Sequence, residues 1–344
     1  EQSCLTYKFR SFKMKKQLLI AAVAATMASV SMADISISGD SKINFTNVDH
    51  ETANSDSNTF KHDINLTVAG KNGDTGILVR TSTTENTVDD STASTALTLE
   101  DAYVTSKIGD VNVKMGQFNN TSDSNISDAT NASIRSGRFV ADYTYKGVKV
   151  TYVDQNHSGE AIIVSGEISG VTLSHKMANG AGTTADGTTA GATDYTDTKI
   201  SGSIAGVDLM YRSKDMDDAD TAATSDLEVI QVGGSIAGVD LIAVQAKASH
   251  ASDTFSSEGK MGVLGAYNNY FGVKATTKMA GNTIAIARIE TEDTDGVAGD
   301  DYTKLIVTRP LAAGATFEAT YTDKDDTTAG SDTQTLDLEL AVKF

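Results

Sequence analysis

The decapeptide Thr335-Leu-Asp-Leu-Glu-Leu-Ala-Val-Lys-Phe344 sets Leu336, Leu338, Leu340, Val342 and Phe344 against Thr335, Asp337, Glu339, Ala341 and Lys343 without a break. Alternation of this strictness gives a β-strand one apolar and one polar face. A strand that runs to the last residue of a sequence frays unless a partner holds it along its length. The rest of the chain has to supply that partner.

The same two-residue period recurs, and no segment after Ala33 shows a convincing helical period. Ile35, Ile37, Ile43 and Phe45 stand at odd positions against Asp40, Lys42 and Asn44 at even ones. Phe60, Ile64, Leu66 and Val68 oppose Lys61, Asp63, Asn65 and Thr67. Val111, Val113 and Met115 oppose Asn112 and Lys114, while Phe139, Ala141, Tyr143 and Tyr145 oppose Arg138, Asp142 and Thr144. Ala315, Phe317, Ala319 and Tyr321 oppose Thr316, Glu318 and Thr320 in the same way. One face is almost free of charge, and the other carries it.

The connections alternate as regularly. Tight links at Lys71-Asn72-Gly73-Asp74, Lys146-Gly147, Ser169-Gly170, Ala205-Gly206 and Ala237-Gly238 supply the positive-φ residues of hairpin turns. Long polar stretches lie between them, at 50–57, 119–136, 178–196, 213–225 and 324–332. An up-and-down meander with this order gathers the short turns at one end and the long loops at the other. Part of the pattern is an internal repeat, since GEISGVTL from Gly166 is echoed by GSIAGVDL from Gly202 and again from Gly234. Pro310, the single proline, falls in a predicted turn, as expected where nearly every strand is paired on both sides. An opening strand, a series of tight-turn hairpins and a closing strand predict 18 strands; 16 stays open because 261–274 is hard to partition.

At the other end, Met14-Lys15-Lys16 precedes the apolar run from Leu18 to Met32, and Ser31-Met32-Ala33 is a small-x-small triplet. This predicts a secretory signal peptide over 14–33, cut between Ala33 and Asp34, with 1–13 as an upstream non-structural extension and 34–344 as one β-domain. The run is shorter than the ~20 residues of a spanning helix. Its removal takes away Cys4, the only cysteine, together with Lys8, Arg10, Lys13, Lys15, Lys16 and Glu1. What remains is more acidic than the −18 of the whole sequence, which argues against nucleic acid as a partner. Disulfides cannot stabilise such a product.

Three architectures compete. A soluble β-sandwich alternates too, but its turns need not sort by length and its core asks for larger apolar residues than the Ala, Thr, Ser and Gly here. A secreted parallel β-helix lacks its glycine-rich nonapeptide repeat. An all-β transmembrane antiparallel up-and-down barrel of 16 to 18 strands, with short periplasmic turns and long extracellular loops, accounts for both regularities. It also explains the closing strand: in hydrocarbon each unpaired backbone group costs several kcal/mol, so the last strand must pair with the first. Tyr143, Tyr145, Tyr152, Tyr211, Phe60, Phe317, Tyr321 and Phe344 sit near predicted strand ends, where aromatic girdles belong. His62 and His175 break the rule by falling on apolar parity, and Ile284 and Ile286 share parity with Arg288.

In its signal peptide, its opening strand DISISGDSKINF, the segment EDAYVTSKIGDVNVKMGQFNN (100–120) and its closing aromatic strand, the chain resembles the Gram-negative general diffusion porins. The resemblance implies residence in the cell outer membrane, contact with outer-membrane lipid and lipopolysaccharide, and a homotrimer of barrels that in that family have 16 strands. It implies that Leu338, Leu340, Val342 and Phe344 form the strand recognised by the barrel-assembly machinery. It also implies that 119–136 folds inward as a constriction loop, offering Asp123 and Asp128 against lumen-parity Lys42, Lys61, Arg80, Lys114 and Arg138. Opposed acidic and basic rows across a water-filled pore would orient polar solutes.

Other chemistry is not legible. The histidines His50, His62, His157, His175 and His250 lack ligand spacing, and no nucleophile elbow, phosphate loop or zinc-helix motif occurs, so neither metal, cofactor nor catalysis is expected. Acidic loops such as 290–301 and 324–332 do not fit the spaced ligands of a calcium loop. The sequence thus predicts a porin for passive diffusion of ions and small hydrophilic solutes, with cation preference suggested by net charge. An 18-strand substrate-selective channel ranks below it, because few aromatics fall on lumen parity, and a secreted adhesin or surface-layer protein ranks lower still.

Overall fold

The computed structural model describes residues 34–50, 56–87, 96–118, 137–155, 159–179, 193–218, 224–248, 269–292, 298–325 and 332–344. The expectations for 1–33, including the cleavage at Ala33, and for Asp123 and Asp128 in 119–136 fall outside these residues.

Eighteen antiparallel strands form one sheet that closes on itself. They are β1 (Asp34–His50), β2 (Ser57–Asn72), β3 (Thr75–Thr87), β4 (Ala96–Ile108), β5 (Val111–Gln117) and β6 (Gly137–Tyr145). The ring continues through β7 (Val148–Gln155), β8 (Gly159–Ile168), β9 (Val171–Asn179), β10 (Thr193–Ile204), β11 (Val207–Asp218) and β12 (Thr224–Ile236). It ends with β13 (Val239–Ala248), β14 (Asn269–Met279), β15 (Asn282–Glu292), β16 (Ala298–Pro310), β17 (Ala315–Asp325) and β18 (Thr333–Lys343). Each strand pairs with its sequence neighbours, and β18 pairs with β1. The architecture is the expected one at the upper of the two strand counts.

The short turns collect at one end. At Lys146-Gly147, Ser169-Gly170, Ala205-Gly206, Ala237-Gly238 and Ala280-Gly281 both central residues have positive φ, near 50° and then near 80°, the geometry of a type I′ turn that matches strand twist. Pro310 ends β16 and leads into a single 3-10 turn, Ala312–Gly314, where a missing N–H costs the ladder nothing.

Register sets the tilt. At each loop-side pairing the short-turn ends step by about two residues; Val148, for instance, faces Gly166 although β8 runs on to Ile168. At the closing seam the step is six, since Lys343 faces Asp40 and β1 begins at Asp34. Such a stagger over 18 strands tilts them by about 40° from the barrel axis.

The two faces separate as the alternation predicts. Ile37, Ile64, Val150, Ile162, Leu173, Ile230, Ile286 and Leu340 lie exposed on the outward parity, and a closed wall with this outward chemistry suits hydrocarbon. All eight aromatics expected in girdles share that parity. The polar residues that break it are satisfied locally: His62 reaches Ser41 at 3.2 Å, His175 reaches Thr198 at 2.8 Å, and Arg288 pairs with Asp301 at 2.6 Å.

At the seam, Lys42 pairs with Glu339 at 3.2 Å and Thr46 donates to Asp337 at 2.5 Å on the inner face. On the outer face Phe45 packs on Phe60 with ring centroids 4.9 Å apart. Phe344 exchanges backbone hydrogen bonds of 2.9 and 3.0 Å with Gly39, and its ring covers that glycine so closely that a Cβ there would stand 2.7 Å from the ring. The strand residues Leu338, Leu340, Val342 and Phe344 are therefore tied to β1 across the seam.

Candidate functional site: the lumen wall

The inner face is not uniformly polar. On β3 to β6 it carries a cationic and aromatic cluster. A β-bulge in β4 places Asp101 opposite Arg80 and Leu99 opposite Thr81, so the extra residue, Glu100, turns inward beside its neighbour. Arg80 Nη2 meets Asp101 Oδ2 at 2.8 Å, and Ser82 donates to Glu100. On β5 the Lys114 ammonium lies 3.9 Å from the Tyr103 ring centre and 3.8 Å from that of Phe118, a double cation–π contact. Those rings meet edge to face at 5.6 Å, and Arg138, register partner of Gly116, is buried beside them on β6.

A second charged group sits on β9 to β11. Arg212, 1% exposed, donates from Nε to Asp197 Oδ1 at 2.9 Å and from Nη2 to Oδ2 at 2.5 Å. Lys176 and Lys214 face the same aspartate in register from either side and are buried too. Ions so enclosed persist only when paired and hydrogen-bonded.

On β11 to β16, where Lys274 and Lys304 flank Ala287 in register, the inner face also holds an apolar cluster: Met210, Val229, Val244, Ala246, Tyr270, Ala287, Ile289 and Tyr302 are buried together, with Ile242 against them. Its middle lies half-way round the ring from the Lys114 cluster. A smaller patch joins Val153, Ala161 and Ala178.

The sequence-predicted lumen cations are dispersed by this geometry. Arg80, Lys114 and Arg138 come together, whereas Lys42 belongs to the seam and Lys61 pairs with Asp63 at 3.7 Å on its own strand. Sequence reasoning missed Glu100, Asp197, Arg212 and the inward aromatics Tyr103, Phe118, Tyr270 and Tyr302. Two adjacent acids interrupting an alternating strand are a legible bulge signal for Glu100; neighbours supplied by other strands carry none. Among the described residues no cluster of three His, Cys, Asp or Glu side chains could hold a metal.

No protein-family model matches the sequence, and no curated protein matches it either. Solved structures do. OccK1 (OpdK) of Pseudomonas aeruginosa superposes with a TM-score of 0.67 at 8% identity, covering 90% of this chain and 98% of that one. The same organism's OpdK solved with vanillate gives 0.66 at 8% identity, over 90% and 98% of the two chains. OccAB4 of Acinetobacter baumannii gives 0.64 at 8% identity, over 91% and 99%. The likeness is one of fold, over nearly the whole of each chain: this is a closed 18-strand antiparallel barrel of the outer-membrane porin type.

Proposed function

We propose that the chain forms a substrate-selective channel through the Gram-negative outer membrane, passing small organic anions passively rather than admitting hydrophilic solutes at large. The observation that carries this is the gathering of Arg80, Lys114 and Arg138 on the inner face of β3 to β6, with Lys114 held over the Tyr103 and Phe118 rings. A solute with one anionic end and a flat apolar body finds a cation and an aromatic edge side by side at such a cluster. Vanillate, the aromatic carboxylate seen with OpdK, has this design and supports the reading. The inward aromatics remove the ground on which sequence reasoning ranked a selective channel second. Net charge is a poor guide to ion preference, because inner-wall acids such as Asp101 and Asp197 already engage arginines.

Planar-bilayer recordings test the proposal. A reversal potential on the anion side under a salt gradient, with saturable block by millimolar vanillate, is expected. Cation preference together with unsaturable conductance would return the channel to the general diffusion class.

A further inference from the structure

β1 runs past the strand that closes the barrel against it. β18 pairs with it from Thr333 opposite His50 to Lys343 opposite Asp40, and Phe344 adds its backbone hydrogen bonds to Gly39. Asp34 to Ser38 lie beyond that last pair and are held by β2 alone, from Lys71 opposite Asp34 to Thr67 opposite Ser38. Backbone groups along an antiparallel strand point alternately to its two neighbours. Gly39 directs its N–H and C=O to the β18 side, so Ile37 and Ile35 do the same, whereas Ser36 and Ser38 direct theirs to β2. Among the described residues nothing meets the N–H and C=O of Ile35 and Ile37 on that side.

Nothing blunts this edge either. Exposed edge strands are commonly protected by lysine, proline or a bulge. The run Ile35-Ser-Ile-Ser38 contains none of these, its pairing with β2 has no register shift, and the nearest charge toward the chain's start is Asp34 at the tip. Ile35 and Ile37 are 50% and 67% exposed on the outward parity, next to a Phe344 ring that is 65% exposed. Unpaired backbone is costly in hydrocarbon, so the overhang belongs in water, on the periplasmic side.

We propose that this edge receives an extended segment of a periplasmic protein, which adds a strand in line with β18. The inference rests on the outer-membrane reading, which puts the short turns in the periplasm, but not on what the channel carries. β18 is already in place, so the edge is a property of the closed barrel. The backbone defines the ligand, because N–H and C=O groups repeating at this spacing are matched by another strand. Register then defines its side chains. Running antiparallel to β1 from beside Phe344, the segment sets its second and fourth residues against Ile37 and Ile35, where apolar side chains fit; Val68, register partner of Ile37, extends the same surface. Its first and third residues face Ser38 and Ser36 and suit small hydroxyls, and a cation at the fifth meets Asp34.

The full chain, folded in detergent, is titrated with the acetylated peptide Thr-Val-Thr-Val-Lys carrying a fluorophore after the lysine, and binding is read by fluorescence anisotropy. Saturable binding is expected, at least tenfold weaker when both valine amides are N-methylated, because those amides face β1. Hydrogen exchange should slow at the Ile35 and Ile37 amides when peptide binds and stay unchanged at Ser36 and Ser38, which already belong to the ladder with β2. Ile37→Pro deletes one open donor and no donor to β2, and should weaken binding about tenfold. The double variant Ile35→Lys, Ile37→Lys should do at least as much, and serves should the proline variant fail to fold, as judged by heat-modifiable gel migration. Undiminished binding to the folded variants, or equal binding of the N-methylated peptide, would overturn the proposal. Protection of the Ile35 and Ile37 amides before peptide is added would overturn it too, since another part of the chain or a second copy would then hold the edge. Conductance and vanillate block should be unchanged in these variants, so a failure here leaves the channel reading standing, and lost selectivity in the unmodified protein leaves this edge standing.

Discussion

Asp197 and Arg212 show how much a single inner-wall residue can carry. Removing one partner of an enclosed ion pair strands the other charge, at a cost of about 3–5 kcal/mol. Asp197→Asn should therefore lower the urea midpoint of the folded barrel far more than the isosteric change would at an exposed site; an unchanged midpoint would mean that solvent reaches the guanidinium. Lys114→Met keeps most of the packing on Tyr103 and Phe118 while deleting the charge. It should shift the reversal potential toward cations without altering heat-modifiability. At the seam, Gly39→Val would thrust a side chain against Asn65 O and the Phe344 ring. A several-fold fall in folded barrel, seen as heat-modifiable protein, is expected from it and from Phe344→Ser alike. Which face each of these residues occupies was legible in the sequence, because parity is a local property. That Asp197 faces Lys176, Arg212 and Lys214 was not, because it depends on which strands lie side by side and in what register.

Hairpins were the most legible elements. Glycine preceded by a residue that must also take positive φ marks a type I′ turn, and the links at Lys146-Gly147, Ser169-Gly170, Ala205-Gly206 and Ala237-Gly238 have that geometry. Alanine is a poor occupant of the first position, since a Cβ at φ 52° crowds the following carbonyl. Ala205→Asn and Ala237→Asn should each stabilise the barrel by about 0.5–1 kcal/mol, read as a rise in the thermal or urea midpoint; a fall would mean the turns are not what sets hairpin geometry. Strand ends were less legible. The stretches 178–196 and 213–225, read as loops, give up residues to strands: β10 begins at Thr193 and β11 runs to Asp218. Backbone pairing continues past the apolar band because a ladder needs no apolar side chain, so composition understates strand length. The bulge in β4 is a different case, since the adjacent acids Glu100 and Asp101 break the alternation where the extra residue sits.

At the scale of the whole molecule, closure follows from the alternation and the sorted turns, and the count of 18 follows once Asn269–Met279 is recognised as a strand. What the pattern could not convey is which inner-wall residues gather into clusters, because that is a property of the circle and not of any segment. The stagger has a further consequence. Nine modest steps at the loop-side pairings, level ends at the eight tight turns and one step of six residues cannot give a level rim: the short-turn edge must climb gradually around the barrel and drop at the junction of β18 with β1. At a tilt of about 40°, the excess over the mean step is a ledge of roughly 12 Å. Depth-dependent quenching should place a fluorophore on Asp34→Cys deeper into the periplasm than one on Lys343→Cys by that distance, and equal depths would mean a flat edge. Anything approaching from the short-turn side therefore meets a ramp with a single projecting lip, formed by the start of β1 and the end of β2, which gives an otherwise ring-like surface one distinguishable bearing.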